Sequence, residues 1–148
     1  MSRSYNWNNL THLQLGKCAE YFVKLEFIYH GFDVYSPEVD EHGIDLIARK
    51  NEELYDVQVK SVRNLNYIFF LKDKFTPRKN LLAAIILFFE GELPQLYLIP
   101  SLAWLEPNKL LVSRDYEGKK SKPEWGLVLS PNLPLLLDFS FEKIVEEL

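Results

Sequence analysis

The sequence predicts a single α/β domain, residues 1–148, in which a central mixed sheet is flanked by helices. Three observations predict it. An amphipathic stretch over residues 12–30 is followed by a short strand and then a hairpin, so the order is helix, strand, strand, strand. Residues 81–89 are apolar without interruption and of strand length, as a strand covered on both faces requires. A chain of 148 residues with 47% hydrophobic and 26% charged content fits one domain with a substantial core.

Taken in order, residues 1–9 are polar apart from Trp7 and are expected to form a loose arm. Thr11 is placed to cap a helix over residues 12–30, which Gly31 stops. Leu15, Cys18, Ala19, Phe22, Leu25 and Tyr29 recur at helical spacing and predict its apolar stripe. Lys17, Glu20 and Lys24 fall together on the narrow polar side, with Glu20 at its margin. Glu26 falls inside the stripe, either as a half-buried partner or as an alternative carboxylate turned towards a site. Residues 32–35 read as a strand ended by Ser36 and Pro37, and residues 38–42 as an acidic turn.

Gly43 opens a strand over residues 43–48 with Asp45 near its start, and Asn51, Glu52 and Glu53 connect it to a second. From Leu54 to Val62 the pattern alternates. Tyr55, Val57, Val59 and Ser61 take one face; Asp56, Gln58 and Lys60 take the other. Residues 67–71 are expected to form a further strand, 72–80 a basic loop or short helix, and 95–99 to return beside 81–89 through the turn at Glu90, Gly91 and Glu92. Pro100 and Ser101 start a helical turn running to Trp104. Residues 110–112 and 126–129 are expected strands around the polar loop 114–122, and residues 141–148 a closing helix capped by Ser140.

Composition narrows the function classes. A net charge of −4 does not advertise nucleic-acid binding, although a local basic face can coexist with an acidic total. Cys18 is the only cysteine, so an intrachain disulfide is excluded and a reducing compartment is the default. The polar N-terminus carries no signal-peptide pattern and the longest apolar run is too short to span a bilayer, so a cytoplasmic location is expected. His12, His30, His42 and Cys18 show no zinc spacing, and no P-loop, G-x-S-x-G or G-x-G-x-x-G pattern is present.

The chemistry gathers on the hairpin. Twelve residues separate Asp45 from Gln58, a length that brings the two together across the strands, with Lys60 beside them. A carboxylate, a side-chain carbonyl and an amine at one place suit a hard cation and a phosphate. Each of the three, taken alone, fits an ordinary strand edge in water. The pattern D-x12-Q-x-K, preceded by a helix containing Gly16-Lys17-Cys18-Ala19-Glu20, resembles the PD-(D/E)XK nuclease superfamily over residues 12–62. That superfamily includes type II restriction enzymes, archaeal Holliday-junction resolvases, Mrr-like restriction enzymes and intron-encoded homing endonucleases. Glutamine at Gln58 is similar to the Mrr-like and intron-encoded branches. No proline precedes Asp45 here.

The resemblance implies a restriction-endonuclease-like fold and a Mg²⁺-dependent (or Mn²⁺-dependent) DNA endonuclease that hydrolyses phosphodiester bonds. The setting would be defence, intron mobility or recombination. Asp45, Gln58, the backbone carbonyl of Val59 and Glu20 would hold the metal, and Lys60 would be the catalytic lysine. Duplex cutting by so small a domain implies a homodimer or higher oligomer. A catalytically inactive module of the same fold, binding nucleic acid or a protein partner, is the alternative. Arg63, Lys72, Lys74, Arg78 and Lys79 follow the hairpin closely and form either a phosphate-contacting flank or a solvated loop. Lys119, Lys120 and Lys122 extend that surface or simply solubilise a loop. Trp104 and Trp125 suit a core or a subunit interface better than base stacking.

Overall fold

A computed structural model describes residues 5–39 and 42–148. Helix α1 (His12–Tyr29) starts at a capping box: the Thr11 hydroxyl accepts from the Gln14 amide and the Gln14 side chain accepts from the Thr11 amide. Gly31 follows its end at φ +89°, a conformation that costs glycine little. The chain then forms β1 (Asp33–Tyr35), β2 (Leu46–Lys50), β3 (Glu53–Arg63), β4 (Ile68–Leu71), β5 (Leu81–Phe88) and β6 (Gln95–Pro100). After a 3₁₀ turn over Ser101–Leu105 come β7 (Leu111–Arg114), β8 (Glu124–Leu127), α2 (Leu133–Leu136) and α3 (Phe141–Val145).

Among the described residues these strands make two sheets. The larger is mixed, in the order β1-β2-β3-β5-β6, with β3 and β5 parallel at its centre and the other neighbours antiparallel. The smaller, β4-β8-β7, is antiparallel. Strand β5 is buried at every residue. Leu82, Ala84, Ile86 and Phe88 join a core built with α1 and α3; Leu81, Ala83, Ile85 and Leu87 join a second core shared with the smaller sheet and Trp104. The uninterrupted apolar run is explained by those two coverings. No helix among the described residues is long and apolar enough to cross a membrane.

Several local expectations change. Trp7 is buried rather than on a loose arm: it stacks on Tyr5, packs against Phe22 and Phe88, and donates its indole N–H to the Glu92 carbonyl at 2.7 Å. Residues 1–4 of that arm, and Asp40 and Glu41 of the acidic turn, lie outside the described residues. The buried stripe of α1 is Leu15, Ala19, Val23 and Phe27, while Leu25 and Tyr29 are exposed. Strand β8 begins at Glu124, two residues before the expected start, because Glu124 pairs with Leu71 and Arg114. Ser140 makes no side-chain cap; it bridges the edge strand β6 at Tyr97 instead.

Candidate active site

The hairpin of β2 and β3 turns at Asn51, which takes φ +57°, and its register pairs Leu46 with Val57. Asp45 stands immediately before the first paired residue of β2, at the end of that ladder. Here the regular ladder ends. The Asp45 amide still donates to the Val57 carbonyl at 2.9 Å, but the next bond is made by a side chain, as the Val59 amide donates to Asp45 Oδ2 at 2.7 Å. The amide and carbonyl of one strand residue leave on the same side, so the Val59 carbonyl faces the end of β2 beside that carboxylate.

Gln58 is buried, with 6% of its surface exposed. Its Nε2 donates to the carbonyls of Lys74, at 2.8 Å, and His42, at 3.3 Å. Both amide protons are thereby committed, which leaves Oε1 as the atom able to accept or coordinate. Gly43 makes this possible. It sits at φ +73°, and a Cβ there would come within 3.3 Å of Gln58 Cδ and Oε1. The glycine serves both the turn and the close packing of the amide.

Asp45, Gln58, Val59 and Lys60 line one cavity of about 340 Å³, closed on its far side by Phe69, Phe70 and Leu71 of β4 and by Lys74. Lys60 is exposed, and its ammonium lies 5.6 Å from the centre of the Phe70 ring. Glu20 stands between two adjoining grooves, one shared with Asp45 and the other with Val59 and Lys60, and it accepts from Lys17 at 3.3 Å. Glu26 does not reach this region: it lines a groove with Leu96 and Phe141, and its carboxylate lies 3.9 Å from His30. Of the two helix glutamates the fold brings only Glu20 beside the cavity.

The basic flank divides. Lys74 lines the cavity, and Arg78 lines the next groove while pairing with Asp56 at 2.5 Å. Lys79 is exposed. Arg63 is turned inward and donates to the carbonyls of Trp7 and Leu10, at 3.0 and 2.6 Å. Lys72 lies 4.1 Å from the Trp125 ring centre and binds Ser113 and Asp115. Lys122 reaches Asp73 at 3.6 Å, tying the polar loop to the basic one. His42 lines the Arg78 groove and His12 the Lys60 groove, whereas His30 Nδ1 contacts the Glu26 carbonyl at the helix end. Trp104 is fully buried and donates to the Gly126 carbonyl, and the Trp125 indole donates to Phe75.

The β4 wall was not foreseen as part of the site. Alternation marks Phe69 and Phe70 as strand residues, but their place beside Lys60 depends on β4 pairing with β8, fifty-odd residues further on. In the same sheet the Tyr67 hydroxyl donates to Glu124 Oε2 at 2.5 Å, and Arg114 lies 4.4 Å from the Tyr67 ring centre. Burial, and then the Glu124 carboxylate, push the Tyr67 phenol well above the ordinary tyrosine range.

Among the described residues no three His, Cys, Asp or Glu side chains form a metal cluster. The donors at the cavity are instead a carboxylate, an amide oxygen and a backbone carbonyl, all hard oxygens, with a second carboxylate one groove away. Such a set fits Mg²⁺ or Mn²⁺ better than a softer ion.

No protein-family model matches the chain, and no curated protein matches it by sequence. Solved structures do match. A Holliday junction resolvase, Hjc, from the archaeal hyperthermophile Archaeoglobus fulgidus superposes with a TM-score of 0.56 at 13% identity, covering 88% of this chain and 95% of that one. A bacterial homing endonuclease, I-Ssp6803I, gives 0.48 at 20% identity over 76% of this chain and 85% of its own. The chain therefore shares the mixed α/β fold of the resolvase.

Proposed function

We propose that this chain, built on a fold it shares with a junction resolvase, is a metal-dependent endonuclease that hydrolyses phosphodiester bonds in DNA. The observation that carries the reading is the end of the β2–β3 ladder, where Asp45 meets Gln58 and Val59 with Lys60 on the same cavity. Asp45, the Gln58 oxygen and the Val59 carbonyl would hold Mg²⁺ (or Mn²⁺), with Glu20 adding charge from the helix. When bound, the ion polarises a phosphoryl oxygen and lowers the pKa of a coordinated water.

The chain's own residues do the rest. The Val59 amide holds the Asp45 carboxylate in one rotamer, and the Lys74 and His42 carbonyls hold the Gln58 amide with its oxygen free. Lys60, whose ammonium among the described residues meets the Phe70 ring, orients the attacking water and offsets negative charge as the P–O ester bond breaks. Lys74 and Arg78 lie where neighbouring phosphates would pass. One site cuts one strand, so cutting a duplex calls for a homodimer or two successive encounters. Defence, intron mobility and recombination are settings in which such an activity serves.

The test is cleavage of plasmid and branched DNA with and without Mg²⁺. Lys60→Ala is expected to slow cutting by roughly 10²–10⁴-fold with metal binding retained. Asp45→Asn is expected to lose both. DNA binding without cleavage in either Mg²⁺ or Mn²⁺ would refute the catalytic reading and leave a binding module.

A further inference from the structure

We infer that the outer face of the smaller sheet is a stacking platform for an unpaired base, so that the preferred substrate carries an unstacked nucleotide beside the scissile phosphate. The inference rests on the nuclease reading above and names its substrate class.

Three observations carry it. Phe69 is 45% exposed on β4, and the same residue lines the cavity that holds Asp45 and Lys60. It is stacked with Tyr67, the ring centres 6.3 Å apart and the planes 20° from parallel, so Tyr67 backs the ring and fixes its plane. Tyr67 is fixed in place. Its hydroxyl is bound to the buried Glu124, and it lies so close over Gly126 that a Cβ there would overlap the phenol oxygen. Arg114 lies over the Tyr67 ring, 4.4 Å from its centre, so Tyr67 is held between the cation and Phe69 and the open stacking face is that of Phe69.

An ordered, partly exposed ring backed by a second is what a nucleobase stacks on, and a rigid platform spares the ordering entropy on binding. A base inside an intact duplex offers its neighbours, not its face, to such a surface. The face becomes available in a bulge, a gap, a flap or a junction. Continuity with the cavity places that base next to the phosphate to be cut. Among the described residues, the grooves around Glu20 and around Arg78 are lined by no Phe, Tyr or Trp.

The experiment measures equilibrium binding in Ca²⁺, which blocks turnover, of one intact duplex and the same duplex with a single-nucleotide bulge, on the wild-type chain, Phe69→Ala and Phe69→Trp. The wild type is expected to favour the bulged duplex, and Phe69→Ala to reduce that preference about tenfold, within the range of a stacking contact. Phe69→Trp should keep or raise it, which a merely structural role for the ring would not produce. Equal affinities for the two duplexes in the wild type, or a preference untouched in Phe69→Ala, overturn the platform while leaving the nuclease reading standing. Binding of neither duplex at low salt overturns both.

Discussion

Gly43→Ala separates what the backbone asks of this glycine from what the site asks. At φ +73° an alanine carries the left-handed penalty of about 1–2 kcal/mol, partly offset by about 0.4–1 kcal/mol from a stiffer unfolded chain. Gly31, at φ +89° with nothing within 4 Å of its would-be Cβ, carries the same backbone cost and nothing more. At Gly43 the new methyl also meets Gln58 Cδ and Oε1 at 3.3 Å and Nε2 at 3.4 Å, so the amide must give way. It is held by the 2.8 Å bond to the Lys74 carbonyl, and loosening a buried hydrogen bond adds about 0.5–1.5 kcal/mol. Urea unfolding should therefore show Gly43→Ala less stable than Gly31→Ala by about 1 kcal/mol. In Mg²⁺ titrations followed by cutting rate, Gly31→Ala should match the wild type, while Gly43→Ala should need more metal and cut more slowly. Equal unfolding midpoints and equal Mg²⁺ dependence in the two variants would show that the Gln58 amide is neither held by Gly43 nor needed at the site.

Other outcomes follow from the second core and the smaller sheet. Tyr67→Phe leaves the buried Glu124 carboxylate without its hydroxyl donor and should cost about 1–3 kcal/mol in urea unfolding. Tyr55, Tyr67 and Tyr97 are all raised by burial, so the folded state holds phenol protons that the unfolded chain releases near pH 10; stability should be fully present below about pH 10 and fall above it, as followed by unfolding midpoints against pH. Trp104→Ala removes a fully buried ring together with its bond to Gly126 and should cost about 3–5 kcal/mol.

The hairpin was legible because two local signals agree on it. Period-2 alternation assigns faces, and the turn length sets register, so Asp45, Gln58 and Lys60 could be placed together before any long-range contact was known. The capping box and Gly31 bounded α1 in the same local way. Its buried face was legible in part: Leu15 and Ala19 are buried and Cys18 and Phe22 pack against the core, whereas Leu25 and Tyr29 are exposed. Tyr21, Leu25, Ile28 and Tyr29 compete with Val23 and Phe27 on composition, and only the sheet's position decides which of them are covered. Gln58 was read onto a polar face, yet it is buried, since loop 72–80 folds over it and supplies a backbone carbonyl that no side-chain pattern announces. Arg63 was read with the other cations for the same reason: its partners are main-chain oxygens near the N-terminus. The three strands of the smaller sheet showed individually, but their assembly depends on pairs such as Ile68 with Leu127, beyond the reach of local periodicity.

Trp7 reaches the Glu92 carbonyl beyond β5, Asn8 binds Glu90, and Arg63 at the end of β3 grips the carbonyls of Trp7 and Leu10. The segment before α1 thus acts as a latch drawn across two distant stretches of chain, the turn after β5 and the end of β3. Its closing joins contacts 85 and 82 residues apart in sequence, each of which must bear the entropy of closing a long loop. Once released, it uncovers Phe22 and Phe88 in the core that supports β3 from beneath. The stiffness of the strand bearing Gln58 and Lys60 is in this sense set from outside the hairpin, by an indole ring some fifty residues upstream.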